Sequence, residues 1–557
     1  MTGAIFSCLF IHTKLGTYMN RHTTALPMSA LAMLCSVAAL SLASSTASAA
    51  PQTRYIVGFK AGADNNVSAA VVRARGNVKR KIHGMNAMSV EVAADQVEAL
   101  RADKNVSYVE ADPPRYLPSM EMKAGYESST ELSAAANPAS GKSYYLGQVI
   151  PYGITMTQAD QLPNGGAKAG NRKICIIDSG YDRSHEDLNN NGVVTGEYDS
   201  GTGWWHTDEN GHGTHVAGTI AAVNNNGVGV VGVIPNRQLK LHIVKVFGAD
   251  GWAYSSELAD AANRCADAGA NIISMSLSGP EPSDTEQAVF DALAAKGILS
   301  FAASSNAGTT APRWPAGYQS VVSVGALDSS KNWATFSNYN PKVELSAPGV
   351  RVLSTVPMGT ALVSSLTVGA STYEVGSVTG SPRGAANAPL ADFGFGGAVN
   401  PAMAGKICLI SRGAGLAFGV KVANCQASGG VGAILYNNVA GSLSPTLGDT
   451  VTTIPSVAAS QAEGAAMLAQ LGQMANLSVK VGNYSYFNGT SMATPHAAAV
   501  AALVWSYFPY CNAAQIRNTL VKSAEDLGTE GRDDKYGYGL VRAKAAYDRI
   551  ATMGCNN

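Results

Sequence analysis

The chain has 557 residues, 46% hydrophobic and 14% charged, with 59 glycines. That is too long for one ordinary domain and too apolar for a disordered chain, so several folded units are expected. Its 39 Lys and Arg balance 39 Asp and Glu, and the one dense basic run, Arg73 to Lys81, is short, which argues against nucleic acid as a partner. The balance is uneven along the chain: 27 of the bases and 32 of the acids fall from residue 118 onward, leaving a mildly acidic body.

Residues 26–46 form an apolar run behind Arg21 and His22 and lead into Ala47-Ser48-Ala49, the small-residue pattern that signal peptidase accepts. Residues 1–50 therefore read as a signal peptide, which predicts a secreted protein with no membrane attachment once the leader is removed. No basic stop-transfer cluster follows the run, which disfavours an anchor. A second apolar stretch, Gly3 to Ile11, precedes the basic residues, so Met19 is an alternative start. Cys8 and Cys35 leave with the leader, and the remaining six cysteines suit an oxidising compartment. None forms a CxxC pair, so neither a zinc nor a redox motif is indicated.

From Arg54 to Asp112 the strand-like RYIVGFK, MNAMSVEVA and VSYVEAD alternate with the helical VSAAVVRARG and DQVEALRAD. This predicts a small α+β unit within residues 51–117. Periodicity is lost from residue 113 to 146, and 118–146 reads as a linker.

Residues 147–357 alternate short apolar runs with helical stretches such as Ser256 to Ala268. The runs are Lys173 to Ile177, Leu241 to Val246, Asn271 to Leu277, Ile298 to Ala303 and Val321 to Val324. Continuous apolar strands between helices predict a parallel sheet covered on both faces, an α/β fold. Residues 358–482 break the pattern with KICLISRG, a helical FGVKVANCQASGG and VGAILYNN, and read as an inserted domain. The alternation resumes over 483–557 with an Ala-rich buried helix.

Three residues draw attention as chemistry. Asp178 ends an apolar strand and is followed by Ser179 and Gly180, at the strand end where α/β sheets place their sites. His212 lies between glycines in NGHGTHVAGTIAA, and Ser491 sits in NGTSMATPH at the start of the Ala-rich helix, where free backbone N–H groups can stabilise an oxyanion. Singly, Asp178 reads as a turn or cap residue, His212 with His215 and Asp208 as zinc ligands, and Ser491 as a helix cap. No HExxH pattern or second ligand cluster supports zinc. Together, an acid that orients an imidazole, a base that takes the serine proton and a nucleophile form a more specific combination.

DSGYDRSHEDL, HGTHVAGTIAA, SMSLSG, AASSNAG and NGTSMATPHAAAVAAL resemble the signature blocks of the subtilisin-like serine proteases, the subtilases, over residues 147–357 and 484–545. The resemblance implies a doubly wound parallel sheet carrying a secreted endopeptidase of protein and peptide substrates. Asp178 is then the orienting acid, His212 the general base and acid, and Ser491 the nucleophile. Asn306 is the oxyanion-hole amide, and Ser276, Leu277, Ser278 and Gly279 form the edge on which substrate lies as an added strand. Ser278 stands where many relatives have glycine. The family's calcium site has counterparts in Gln148, Asp187 and the loop 223–230. That loop would supply the amide of Asn226, or of Asn225 beside it, and carbonyls such as those of Val223, Val228 and Val230, an oxygen-only set suited to Ca²⁺.

Residues 51–117 resemble the subtilase propeptide, an intramolecular chaperone and inhibitor whose tail occupies the active site before cleavage. Residues 358–482 resemble a protease-associated (PA) domain. The expected disulfides are Cys408–Cys425, local to the insertion, Cys175–Cys265, stapling the Asp178 strand to a helix, and Cys511–Cys555, holding the tail. A monomer is expected. Two competing readings are a degenerate protease acting as a binding module, disfavoured because triad and oxyanion residues are all present, and a processing protease of dibasic specificity. No acidic cluster marks Ser276–Gly279 or Ala303–Asn306, which disfavours the second.

Overall fold

The computed structural model describes residues 52–117, 121–123, 148–162, 169–189, 194–224, 226–439, 443 and 445–556. The signal segment expected over 1–50, most of the 118–146 linker and Asn225 lie outside them.

The main body is built on seven strands, all parallel, in the spatial order Val343–Pro348, Val321–Leu327, Leu299–Ala303, Ile272–Met275, Lys173–Asp178, Lys240–Lys245, Val194–Gly196. Both edge strands escape the sequence reading. Val194–Gly196 is too short for a pattern, and Val343–Pro348 carries Glu344 and ends in proline, which an edge position tolerates. Successive side chains of a strand face opposite ways, so Ile174 and Ile176 enter one core while Cys175 and Ile177 enter the other. The first core is filled by the helices His212–Ala221 and Thr490–Tyr507, the second by Ser255–Asp267 and Asp284–Ala295.

Helix Thr490–Tyr507 is buried from Thr490 through Ser506. Its alanines let it lie close to the neighbouring sheet and helix, while Val500, Leu503 and Val504 each contribute on the order of 1.5–3 kcal/mol by leaving water.

Residues 52–111 form a four-stranded antiparallel sheet ordered Asn77–Lys81, Ala87–Ala93, Gln52–Phe59, Val106–Ala111. Val57, Phe59, Val90 and Val92 pack on its own helices, Asp64–Arg73 and Val97–Arg101, while Ile56, Ile82 and Ala87 join the core beneath Ser255–Asp267. Asn77–Lys81, the second part of the basic run Arg73 to Lys81, is a strand that its composition conceals. Arg80 pairs with Asp199 at 2.6 Å and Asp260 at 3.2 Å, docking the unit onto the body, whereas Lys79 and Lys81 pair with Glu91 and Asp64 inside it.

The chain leaves the main body along Val352–Thr355 and returns along Tyr484–Asn488, antiparallel neighbours with Thr355 opposite Tyr484. Between them lies an eight-stranded sheet with its own core of Leu366, Leu390, Ile407, Leu409 and Leu477. The expected strand, helix and strand are Ile407–Ser411, Phe418–Ala427 and Gly432–Tyr436, the two strands being parallel neighbours.

Three disulfides join Cys175 to Cys265, Cys408 to Cys425 and Cys511 to Cys555. Peptide mapping without reductant should recover these three cross-linked pairs. Cys408 linked to any cysteine outside 358–482 would contradict the arrangement.

Candidate active site

Asp178 closes the strand Lys173–Asp178 and His212 opens the helix His212–Ala221. Their contact needs strand exit and helix start to approach within backbone distance. At Gly180, φ is +127°, and a Cβ would lie 1.9 Å from the Thr207 carbonyl; at Gly213 a Cβ would lie 2.2 Å from the Gly180 carbonyl. Only glycine fits either place. Asp208 fixes the helix start: Oδ1 accepts from Gly211 N and Ser179 Oγ, both at 2.8 Å, and Oδ2 accepts from Thr214 N at 2.8 Å and Thr214 Oγ1 at 2.6 Å. The carboxylate considered as a zinc ligand is thus an anchor for a helix N-terminus.

Within this frame Asp178 Oδ1 lies 2.7 Å from His212 Nδ1 and also accepts from Ser179 N at 2.8 Å. Both side chains are fully buried. With Nδ1 engaged by a carboxylate, the other nitrogen is the one free to take a proton, and among the described residues His212 Nε2 has no hydrogen-bond partner. Ser491, second residue of its helix, donates from Oγ to the Ser276 carbonyl at 3.1 Å, while Ser276 Oγ donates to the Ser491 carbonyl at 2.7 Å. The serine hydroxyl is therefore held on the Ser276 carbonyl and not on the imidazole. Asn306 Oδ1 accepts from Thr490 N at 2.9 Å and Thr490 Oγ1 at 2.8 Å, which fixes the amide and turns Nδ2 toward Gly489. Thr490 went unrecognised in the sequence; its place directly before the serine was the available signal.

His215 points elsewhere. Its Nε2 lies 3.0 Å from the Val352 carbonyl and 3.1 Å from that of Ser485, and its ring stacks on Phe487 at 4.1 Å. Burial, with the nearby His212 adding to it, pushes its pKa down to about 3. His496, packed against Gly153, is likewise buried and pushed down to about 4.

The edge residue Ser278 is paired with Tyr116 in antiparallel fashion, Tyr116 N donating to Ser278 O at 2.9 Å and Ser278 N to Tyr116 O at 3.0 Å. On its other side the strand Pro114–Tyr116 pairs with Trp252–Tyr254. The segment after the N-terminal unit, which shows no periodicity in the sequence, is thus a strand inserted between two edges of the body. Gly279 pairs onward with Trp314, Leu277 is buried, and Ser276 reaches Ser491 as described. Beyond the undescribed residues 118–120, the backbone of Glu121–Lys123 pairs with Tyr484–Asn488. Two acids fasten the N-terminal unit: Asp112 accepts from Ser255 Oγ, Ser256 N and Ser256 Oγ at 2.9, 2.9 and 2.6 Å, and Glu110 from Asp284 N and Thr285 N at 3.0 Å.

Away from the triad, the Gln148 amide nitrogen faces four oxygens: Asn226 Oδ1 at 2.7 Å, Val223 O and Val228 O at 2.9 Å, and Val230 O at 3.5 Å. Asp187 accepts from Asn226 Nδ2, and from Val230 N at 2.8 Å. Burial raises its carboxyl to about 6. An amide has two N–H hydrogens, so four convergent oxygens exceed what Gln148 can satisfy. With the Gln148 oxygen on the same amide and the Asp187 carboxylate, the donors are all oxygen, which fits a hard divalent cation. Among the described residues no group of three or more His, Cys, Asp or Glu side chains is placed to hold a metal ion.

A parallel α/β sheet with a buried carboxylate–imidazole pair and a helix-start serine at its carboxyl ends defines a serine hydrolase in build. The family model of the subtilases matches residues 170–384 and 413–539, and the chain belongs to that family of serine endopeptidases. It is 42% identical over 218 residues to subtilisin DY of Bacillus licheniformis, covering 38% of this chain and 77% of that one. It is 33% identical over 347 residues to an alkaline protease of Alkalihalobacillus alcalophilus, covering 59% and 80%. The crystal structure of the psychrophilic subtilisin-like protease Apa1 from the Antarctic psychrotroph Pseudoalteromonas sp. AS-11 is 41% identical with a TM-score of 0.57, covering 73% of this chain and 99% of that one.

Both His215 and His496 are held neutral by burial, so the unfolded chain binds more protons below the ordinary histidine value of 6.5. Stability present above that value is lost as pH falls toward 4. His496→Gln, which takes up no proton, should flatten the decline of melting temperature over this window relative to the unaltered protein; parallel pH profiles would contradict the assignment.

Proposed function

We propose that the chain is a secreted, calcium-stabilised zymogen of a serine endopeptidase, with 51–117 as its propeptide, 118–146 as linker, 147–357 and 483–557 as the catalytic domain and 358–482 as a PA-type insertion. The observation that carries this reading is the strand Pro114–Tyr116, seated on the Ser278 edge that leads to Ser491. An extended peptide completing a sheet edge is how a protease holds a substrate backbone.

In the reaction, Ser491 Oγ leaves the Ser276 carbonyl and gives its proton to His212 Nε2 as it attacks the substrate carbonyl. Asp178, fixed on Nδ1, stabilises the imidazolium that forms. The carbonyl oxygen becomes an oxyanion, for which Asn306 Nδ2 and the Ser491 N–H are the donors; losing one such donor generally costs about 100- to 1,000-fold in kcat. The imidazolium returns its proton to the departing amine, and a water, deprotonated by the same nitrogen, releases the acyl group from Ser491.

The tail is anchored before residue 118 and again from residue 121 by backbone pairing, which supports maturation at a bond between them. Ser491→Ala should accumulate as a precursor in a host without other proteases, while the unaltered chain yields a mature form beginning within or soon after 118–121. Normal processing of the variant, or failure of the unaltered mature protein to react at Ser491 with a serine-directed phosphonate, would overturn the reading.

Calcium held by Gln148, Asp187, Asn226 and the carbonyls of Val223, Val228 and Val230 would tie the loop 223–230 to the 148–187 region, with no part in bond cleavage. A ligand bound only by the folded state stabilises it, and here the Asp187 proton must leave first. Calcium should therefore raise the melting temperature more at pH 8 than at pH 5, since the raised Asp187 carboxyl ionises near about 6. Asp187→Asn should abolish most of that increment. An increment that EDTA reverses but Asp187→Asn leaves intact would place calcium elsewhere, and no increment at all would overturn calcium stabilisation.

A further inference from the structure

The tail strand carries a charged side chain into the body. Arg115 and Glu286 are both fully buried, and their contact is two-pronged: Nε donates to Oε1 at 2.9 Å and Nη2 to Oε2 at 2.5 Å. Glu286 is also held by Tyr318, whose hydroxyl donates to Oε2 at 2.7 Å and accepts from Ser283 N at 2.9 Å. Arg115 Nη1 turns back to the Pro114 carbonyl at 3.0 Å. The aliphatic stem passes over Gly279, where a Cβ would lie 3.0 Å from Arg115 Cδ and 2.6 Å from Nη1. Glycine at that edge position is thus what admits so thick a side chain. All the groups around the guanidinium except Pro114 belong to the catalytic body and remain when the tail departs.

The register says which substrate residue this pocket receives. Tyr116 lies opposite Ser278, and a peptide continuing in that antiparallel register sets its residue two positions on opposite Ser276, whose carbonyl receives the Ser491 hydroxyl. The Arg115 position is three residues before that one, hence the fourth on the amino side of the bond cut. We propose that Glu286, set by Tyr318 at the floor of this pocket, is a specificity-determining residue that selects an arginine side chain at the fourth position upstream of the scissile bond. This inference rests on the protease reading given above. When the tail leaves, Glu286 keeps Tyr318 but loses the guanidinium, so a substrate that brings a guanidinium back restores the two-pronged pair, which one without it does not. The fork of two parallel hydrogen bonds suits arginine better than lysine, which has a single point of attachment.

The test uses the processed enzyme and fluorogenic peptides of the form Xaa-Tyr-Leu followed by mixed residues, with Xaa as arginine, lysine, leucine or citrulline, the uncharged isostere. Truncating one partner of a buried hydrogen-bonded charge pair costs about 2–5 kcal/mol, so kcat/KM for arginine should exceed that for citrulline by at least about 30-fold, with lysine between. Glu286→Gln should bring arginine and citrulline within about threefold of each other. If that variant does not mature, the peptide series on the unaltered enzyme decides alone. Equal rates for arginine and citrulline, in enzyme that reacts with the phosphonate at Ser491, overturn the subsite and leave the protease reading intact. If the enzyme neither reacts nor cleaves, the protease reading fails, and equilibrium binding of the two peptides by fluorescence polarisation decides the subsite: tighter binding of arginine supports it and equal binding overturns it.

Discussion

The close passage of the chain at Gly180 against the start of the helix His212–Ala221 sets where the chemistry can be. A side chain at Gly180 or Gly213 would drive the strand end from the helix, and the 2.7 Å contact between Asp178 and His212 would open. Everything behind that contact serves to keep it. Asp208 ties the helix start to the turn through four hydrogen bonds, and the all-parallel sheet delivers Asp178 at the rim. The buried helix that begins at Thr490 delivers the serine from the far end of the sequence.

The same economy governs the edge at Ser278. Two lone edges, at Trp252–Tyr254 and Ser278, would leave unpaired backbone groups facing the cleft, and the strand Pro114–Tyr116 satisfies both at once. The N-terminal unit then closes over the starts of two helices, supplying carboxylates from Asp112 and Glu110 where free N–H groups and the positive ends of the helices lie. Its docking is thus polar at the helix ends and apolar beneath, where Ile56 and Ile82 enter the body's own core.

How much was legible before any coordinates followed from how local each signal is. The inner strands are continuous apolar runs, and Asp178, His212 and Ser491 sit in small-residue contexts that chain order alone brings into focus. Edge strands such as Val194–Gly196 and Asn77–Lys81 are polar or short, since half their neighbours are solvent or another unit, and no pattern marks them. Pro114–Tyr116 is a strand only because its partners lie more than a hundred residues away, which no window on the sequence can register. Glu286 escaped for a related reason. Ser276–Gly279 and Ala303–Asn306 carry no acid, whereas Glu286 lies on the first turn of the next helix and reaches Arg115 from there. The Ser491 hydroxyl rests on the Ser276 carbonyl, a detail of rotamer that sequence does not encode.

The side-by-side departure and return of the chain at Thr355 and Tyr484 carries a consequence for how this architecture can vary. Because the two ends of the insertion are already neighbours in a sheet, the body sees only a short hairpin at that point, whatever its size. Lengthening the excursion adds little loop-closure entropy, since that cost grows only with the logarithm of length. It also leaves the register of Tyr484–Asn488, and with it the approach to the serine, untouched. A lineage could therefore enlarge, exchange or delete this unit as a cassette, changing what the enzyme meets without retuning how it cuts.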